Sequence, residues 1–439
     1  MKLYWSQYNH LYSSKRYGYL LYNAETNAFA KLSEETFNEF QLISKNNELI
    51  ENLDNEFIDQ LIAQKIIVKD KYSYLYKRRM RYYFNAFDTS NLGLAVAPTT
   101  ACNFICPYCY EEGKKNIYMS EKTEQDLLSF IANHKRTNTL NLTWYGGEPL
   151  MGFKSIQRIL EGLKKINHIK LGLHNMPTNG YLLSEEVSLY FKENPMNSIQ
   201  VTIDGAREHH NQLRMLPGKL PTFDKIIKNL DTFMDYNPNT PVFIRMNLLT
   251  DNIDSYGPTH KELTDHWKGR DVTIYPAFIK DFSDNCKTNC NLVSREEKID
   301  FFTQLKDKYN INVTFEPYNQ CTGLCGATLI NYYVVGPEGE MYKCWNDLGV
   351  KEQIVGYLDK QEPTNYDLLT KYLAGPTLMD DTECKECTIL PICSGGCLWI
   401  RHKNLYENKG FDYTCCARKN HLDKTIDLHY EEVLNKKSV

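Results

Sequence analysis

Cys102-Asn-Phe-Ile-Cys106-Pro-Tyr-Cys109 sets three cysteines within eight residues, in the spacing C-x3-C-x2-C. The run follows an apolar stretch, Leu92 to Ala97, that ends in turn residues, so the three thiols sit on a loop just after a strand. Three thiolates on one loop can ligate three irons of a single [4Fe–4S] cube. The cube has four irons, so one is left without a protein ligand. An open iron is a reaction site, by the same logic through which a catalytic metal keeps one position free. A three-cysteine zinc site completed by a distant residue is the plainer alternative.

Beyond this loop, strand and helix alternate. Leu140–Tyr145, Lys170–Met176, Ser198–Ile203, Pro241–Leu249 and Val272–Phe278 read as strands, with helical periodicity at Glu121–Ala132, Ser155–Ile166, Glu185–Phe191, Phe223–Phe233 and Arg295–Lys306. With Leu92–Ala97 this makes six strands, mostly separated by helices. Parallel neighbours need such long crossovers, so the pattern implies a parallel α/β sheet, doubly wound or closing as a barrel of (β/α) units. This unit spans 86–315. Residues 1–85 read as a small separate module. Tyr17–Leu32 is a hairpin signal around Asn23-Ala24-Glu25-Thr26-Asn27. Ser33 is a helix cap whose box is partial, with Thr36 where Glu or Gln is wanted. Helices to Ile43 and over Asn55–Ala63 and a short strand at Ile66–Val68 complete a winged-helix-like pattern. The basic run Lys77-Arg78-Arg79-Met80-Arg81 reads as a solvated linker face. Residues 316–439 are turn-rich and end in a helical tail, His421–Leu434.

The 439 residues carry a formal net charge of −4. That argues against a dedicated nucleic-acid binder, because phosphate binding needs a surplus of Lys and Arg. No apolar run is long enough to span a membrane, and the N-terminus lacks the apolar core of a secretory signal, which points to the cytoplasm. Fourteen cysteines are many for that compartment, and they cluster, with three in 102–109 and nine in 321–416. Clustered cysteines in a reducing compartment bind metal more often than they form disulfides.

The C-x3-C-x2-C run, with Tyr108 before its third cysteine, resembles the signature of the radical S-adenosylmethionine (SAM) enzymes. Further motifs follow in order. Trp144-Tyr145-Gly146-Gly147-Glu148-Pro149 is similar to the family's GGEP, Thr178-Asn179-Gly180 ends the third strand, and Thr202-Ile203-Asp204-Gly205 ends the fourth. The resemblance implies a partial (β/α)6 TIM-like barrel. It also implies SAM on the open iron of a cluster held by Cys102, Cys106 and Cys109. The SAM pocket would use Tyr108, Gly146, Gly147, Glu148, Pro149, Asn179, Thr202, Arg214 and Asn247, with Glu148 toward the amine and Arg214 as a clamp for the carboxylate.

Cys384-x2-Cys387-x5-Cys393-x3-Cys397, preceded by Cys321, Cys325 and Gly339-x4-Cys344 and followed by Cys415, resembles the SPASM domain, which binds two auxiliary [4Fe–4S] clusters. The resemblance assigns Cys321, Cys325, Cys344 and Cys397 to one cluster and Cys384, Cys387, Cys393 and Cys415 to the other. Cys321 and Cys325 are only four apart, which leaves open whether one is idle, Cys416 competes with Cys415, and Cys286 and Cys290 lie outside the pattern as spare thiols. The N-terminal module resembles the recognition element that captures the leader of a ribosomally made precursor peptide as an added strand.

The expected function is that of a radical SAM oxidoreductase maturing such a peptide. It would install a crosslink, a thioether first and a carbon–carbon bond next, with flavodoxin or ferredoxin as electron donor. The alternatives are an anaerobic formylglycine-forming sulfatase maturase and a non-enzymatic iron–sulfur DNA-binding sensor.

Overall fold

The computed structural model describes residues 2–109, 115–279, 292–311, 324–393, 395–411, 415, 419 and 421–437. The N-terminal segment contains β1 (Tyr4–Trp5), β2 (Asn9–Ser14), β3 (Gly18–Asn23), β4 (Ala28–Lys31), α1 (Glu34–Lys45), α2 (Asn55–Ala63), β5 (Ile67–Val68) and α3 (Ser73–Ala86). The expected hairpin is β3–β4, paired from Asn23↔Ala28 to Leu20↔Lys31. Asn23 closes its turn by accepting from the backbone N–H groups of Glu25 and Thr26, at 3.0 and 3.1 Å. β2 adds a third strand on the far side of β3. Ser33 caps α1 through the Thr36 N–H alone, as the missing Glu implies.

The basic run at 77–81 is not a linker. It lies within α3, whose Tyr74, Leu75, Tyr82 and Ala86 are buried. Arg78 turns inward, donating to the Leu390 carbonyl and, at 2.8 Å, to that of Cys393. Arg79 pairs with Asp380 at 2.9 Å.

The strand–helix repeat then runs β6 (Asn91–Val96), α4 (Glu121–Asn133), β7 (Thr139–Trp144), α5 (Phe153–Leu163), β8 (Lys170–Thr178), α6 (Glu185–Glu193), β9 (Ser198–Thr202), α7 (Arg207–Leu213), α8 (Phe223–Tyr236), β10 (Val242–Leu248), α9 (Tyr256–His266) and β11 (Val272–Phe278). All six strands pair in parallel and in chain order. This is the expected (β/α)6 arrangement, each helix carrying the chain back to start the next strand. Alternation sets the two faces: Leu140, Leu142 and Trp144 of β7 are buried while Asn141 and Thr143 are half-buried, and Ile199 and Val201 of β9 are buried beside half-buried Gln200 and Thr202.

Further along lie α10 (Arg295–Tyr309), β12 (Tyr332–Val335), β13 (Glu340–Tyr342), β14 (Gly356–Tyr357), α11 (Tyr366–Leu373), α12 (Thr382–Lys385), α13 (Leu398–Glu407) and α14 (Leu422–Lys437). β12 joins β6 in parallel and β13 and β14 follow antiparallel, so the sheet reaches nine strands in the order β11-β10-β9-β8-β7-β6-β12-β13-β14. These short strands escaped the sequence reading because two to four residues carry too little alternation to register.

The chain divides into two compact units. One comprises Met1–Ala86, Ser294–Cys325 and Ala374–Val439; the other comprises Phe87–Val293 and Gly326–Leu373. The first is held by a core in which Tyr8, Leu20, Tyr22, Tyr74 and Leu75 pack with Met379, Ile389, Leu390, Ile392 and Ile426.

Candidate functional site

The loop after β6 carries Cys102, Cys106 and Cys109, and the turn after β7 braces it. Tyr145 N–H donates to the Val96 carbonyl at 2.8 Å, Gly147 N–H to Thr99 at 3.3 Å and Glu148 N–H to Ala101 at 2.9 Å. This closeness dictates the two glycines. A Cβ on Gly146, whose φ is +110°, would run into the Thr99 carbonyl oxygen, and one on Gly147 would sit 2.6 Å from that of Thr100. Pro149 opens the short turn of helix at Pro149–Gly152. Within the cysteine loop Cys109 N–H donates to the Cys106 carbonyl at 3.1 Å, and Ile105 N–H is tied to Met215 at 2.9 Å. The protein packed around Cys106 pushes its thiol up to about 11. A thiolate there therefore needs positive charge, which iron supplies.

Glu148 is 1% exposed. Its Oε1 accepts from Thr178 Oγ1 at 2.7 Å and Leu150 N–H at 3.1 Å, and its Oε2 from Asn179 N–H at 2.7 Å. Burial raises its pKa and these donors pull it back. The carboxylate thus stitches the end of β7 to the end of β8. Asn179 in turn donates from Nδ2 to Asn103 Oδ1 on the cysteine loop, at 2.7 Å.

A second polar group closes the other side. Tyr108 OH donates to Asp204 Oδ2 and accepts from Arg214 Nη1 at 3.0 Å and from Asn247 Nδ2 at 3.2 Å. Asp204 is fully buried, and Asn247 N–H donates to its Oδ1 at 3.3 Å. Burial works against charge on Arg214, but Tyr108, Cys106 and Asp204 around it outweigh that and keep the guanidinium protonated. Thr202, half-buried, ends β9 in register with Arg245 of β10.

The residues expected from the ends of β6 to β10 are therefore gathered by the fold, each at the C-terminal end of a parallel strand or in the segment after it, where (β/α) folds build their sites. Asp204 and Asn103 were not singled out from the sequence. The signal for Asp204 lay in Thr-Ile-Asp-Gly, where a carboxylate precedes a glycine (φ +84°) at a strand end. Two buried donors here have no partner among the described residues, Arg214 Nε and Asn103 Nδ2. Buried donors are normally satisfied. Unpartnered donors beside a three-thiol loop fit a bound molecule that brings acceptors, as the SAM carboxylate does.

The remaining candidates divide between the two units. Cys344 precedes a helical turn at Trp345–Asp347, and Trp345 stacks on Tyr145 with ring centroids 5.6 Å apart. Asp347 is buried and accepts from Tyr372 OH at 2.8 Å. Cys384, Cys387, Cys393 and Cys415 line one cavity of about 190 Å³ in the first unit. Cys325 is exposed and Cys397 half-buried. Cys286, Cys290, Cys321 and Cys416 lie outside the described residues. Among the described residues no three His, Cys, Asp or Glu side chains close on a single ion. No described helix is long and apolar enough to cross a membrane.

A (β/α) sheet with a three-thiol loop and a polar pocket at its strand ends defines an enzyme core built for a cluster with one open iron. Residues 96–263 match the radical SAM superfamily model, so the chain carries a radical SAM domain and is an enzyme. That family uses SAM and a [4Fe–4S] cluster. The serine-type anaerobic sulfatase-maturating enzyme of Bacteroides thetaiotaomicron is 24% identical over 396 residues, covering 79% of this chain and 93% of that protein. The radical SAM cyclopropyl synthase TigE of Paramaledivibacter caminithermalis is 22% identical over 431 residues, covering 87% and 84%. The structure of native anSMEcpe with bound AdoMet and Cp18Cys peptide superposes with a TM-score of 0.60 at 18% identity, over 79% of this chain and 98% of that one. The chain therefore has the fold of radical SAM enzymes of the maturase type.

Proposed function

We propose that this enzyme matures a ribosomally made precursor peptide, installing a crosslink, a thioether first and a carbon–carbon bond next. The observation that carries the reading is the pocket of Tyr108, Asp204, Arg214 and Asn247 beside the cysteine loop, with the unpartnered Arg214 Nε. Cys102, Cys106 and Cys109 would hold the cluster. Gly146, Gly147, Pro149, Asn179 and Thr202 would frame SAM, with Arg214 on its carboxylate. Glu148, its carboxylate held by Thr178 and Asn179, would pair with or orient the amine. Bound there, SAM and the cluster supply a 5′-deoxyadenosyl radical that takes a hydrogen atom from the substrate. Forming the crosslink would remove a second electron, which two auxiliary clusters would accept when bound. One would be held by Cys384, Cys387, Cys393 and Cys415, the other by Cys344, Cys397 and Cys325 or Cys321. An external flavodoxin or ferredoxin supplies the priming electron.

Two features support a peptide substrate. The anSMEcpe structure holds a peptide, and β4 is an edge strand with no second strand neighbour among the described residues, open to an added leader strand. The test is anaerobic reaction with SAM, reductant and each short peptide found encoded next to the gene. A peptide lighter by two hydrogens, with the linkage located by fragmentation, supports the reading. No mass change alongside 5′-deoxyadenosine formation overturns the precursor assignment.

A second reading, formylglycine formation, is favoured by the sulfatase-maturating relatives. Against it, Trp345 directly follows Cys344, and Asp347 is already held by Tyr372. An aldehyde on the product, trapped with a hydrazide, would select it.

A further inference from the structure

The cavity lined by Cys384, Cys387, Cys393 and Cys415 has an arginine built into its wall. Arg401, from α13, donates at three points. Its Nη2 reaches Cys384 Sγ at 2.9 Å, its Nη1 reaches Asp381 Oδ2 at 2.9 Å, and its Nε reaches the Gly395 carbonyl at 2.8 Å. Asp381 is itself the N-cap of α12 and accepts from the Cys384 N–H at 2.9 Å. Gly395 lies two residues past Cys393, its N–H donating to Cys393 Sγ at 3.3 Å. One guanidinium thus spans both ends of the cysteine stretch and contacts a candidate ligand sulfur. Lys419 approaches a second sulfur, Cys415 Sγ, at 4.0 Å, but it is also bonded to Glu383 at 3.2 Å.

Four thiols around one cavity, none in a disulfide, fit a [4Fe–4S] cube. Hydrogen bonds to cluster sulfurs and nearby net charge are among the factors that set such a cluster's potential. Resting on the auxiliary-cluster reading above, we propose that Arg401 is a positioning and tuning residue for this cluster. Its N–H···S bond and positive charge stabilise the one-electron-reduced cube over the oxidised one and so raise its reduction potential. Asp381 opposes it, holding the guanidinium in place while neutralising part of its charge. Arg401 thereby makes this cluster an electron acceptor, as a maturase that must withdraw a second electron requires.

The charge argument predicts opposite signs for two neighbouring substitutions, which a merely structural role does not. The full-length reconstituted protein is titrated anaerobically and followed by electron paramagnetic resonance. The signal lost in Cys387→Ala, together with about four irons, identifies the cluster. Arg401→Gln is expected to lower the reduced-to-oxidised ratio of that signal about tenfold at fixed potential, equivalent to about 59 mV for a one-electron couple. Asp381→Asn is expected to raise the ratio. Unmoved ratios at full iron content, or shifts of the same sign, overturn the role of Arg401. If Arg401→Gln fails to hold iron, Asp381→Asn decides alone, and a ratio that is unchanged or lower overturns the proposal. If Cys387→Ala loses neither iron nor signal, the cluster reading itself falls, a result distinct from the other two.

Discussion

The two cysteine regions are built on opposite plans. In the loop at 102–109, Cys102 is exposed, and the protein around it ends in hydrogen-bond donors that find no acceptor among the described residues, Arg214 Nε and Asn103 Nδ2. In the cavity around Cys384, a cation sits directly on a sulfur, and all three nitrogens of Arg401 are satisfied. The first region is unfinished until a small molecule completes it. In the second, the polar groups of Arg401 and Asp381 are paired within the protein around a cavity of about 190 Å³. On the reading proposed above the first is a reaction centre and the second an electron relay, and where each region leaves its polar groups supports that separation.

If that separation is right, the two regions fail independently. Replacing Cys102, Cys106 and Cys109 together by Ala should abolish 5′-deoxyadenosine formation and lower iron from about twelve to about eight per chain. Persistent SAM cleavage in the triple variant would remove the reaction centre from this loop.

The reverse deletion sharpens the comparison. Removing residues 2–86 is more than the loss of a leader-binding module, because Tyr8, Leu20, Tyr22 and Tyr74 share a core with Ile389, Leu390 and Ile392, and Cys384, Cys387 and Cys393 pack against it. The truncated chain should lose about four irons from the C-terminal cavity and keep the loop cluster. Full iron after truncation would mean the cavity stands without that core.

The glycine pair tests how the reaction centre is held. Gly146→Ala forces a Cβ into the Thr99 carbonyl at a φ of +110°. It should cost about 1–3 kcal/mol from backbone strain alone and shift the cysteine loop, lowering SAM cleavage more than peptide affinity. Normal thermal stability and turnover in this variant would break the argument that the turn braces the loop.

Much of this was legible in the sequence, and the limits have physical causes. The six parallel strands declared themselves through long apolar runs with helical crossovers, and the strand-end motifs through glycines that a close backbone approach demands. Residues 326–373, which extend the sheet, carry strands too short to show a period. Asp204 and Arg401 act through partners distant in the chain, Tyr108 and Cys384, and spacing along the sequence holds no record of such contacts. Glu148 was visible as a site residue, but its partners were not: Thr178 Oγ1 and Asn179 N–H at the end of β8 and Leu150 N–H in the turn after β7 all donate to its carboxylate.

Within the reaction centre, Arg214→Gln removes the free Nε donor and the bond to Tyr108. A charge-assisted hydrogen bond is worth about 1.5–3 kcal/mol, so SAM affinity should fall roughly 10- to 150-fold while iron content stays whole. Unchanged affinity would mean the unpartnered donor faces something other than SAM.

The smallest effect belongs to Lys419 in the relay. It lies 4.0 Å from Cys415 Sγ, its side chain is 37% exposed, and Glu383 neutralises it from 3.2 Å. Water and a counter-ion screen an exposed charge, whereas the Arg401 side chain is 17% exposed and touches sulfur at 2.9 Å. Lys419→Gln should therefore move the cluster's reduced-to-oxidised ratio by less than about twofold, against about tenfold for Arg401→Gln, and the small shift should shrink further in high salt. A lysine effect equal to that of the arginine would show that net charge around the cavity sets the potential, with the direct N–H···S contact contributing little.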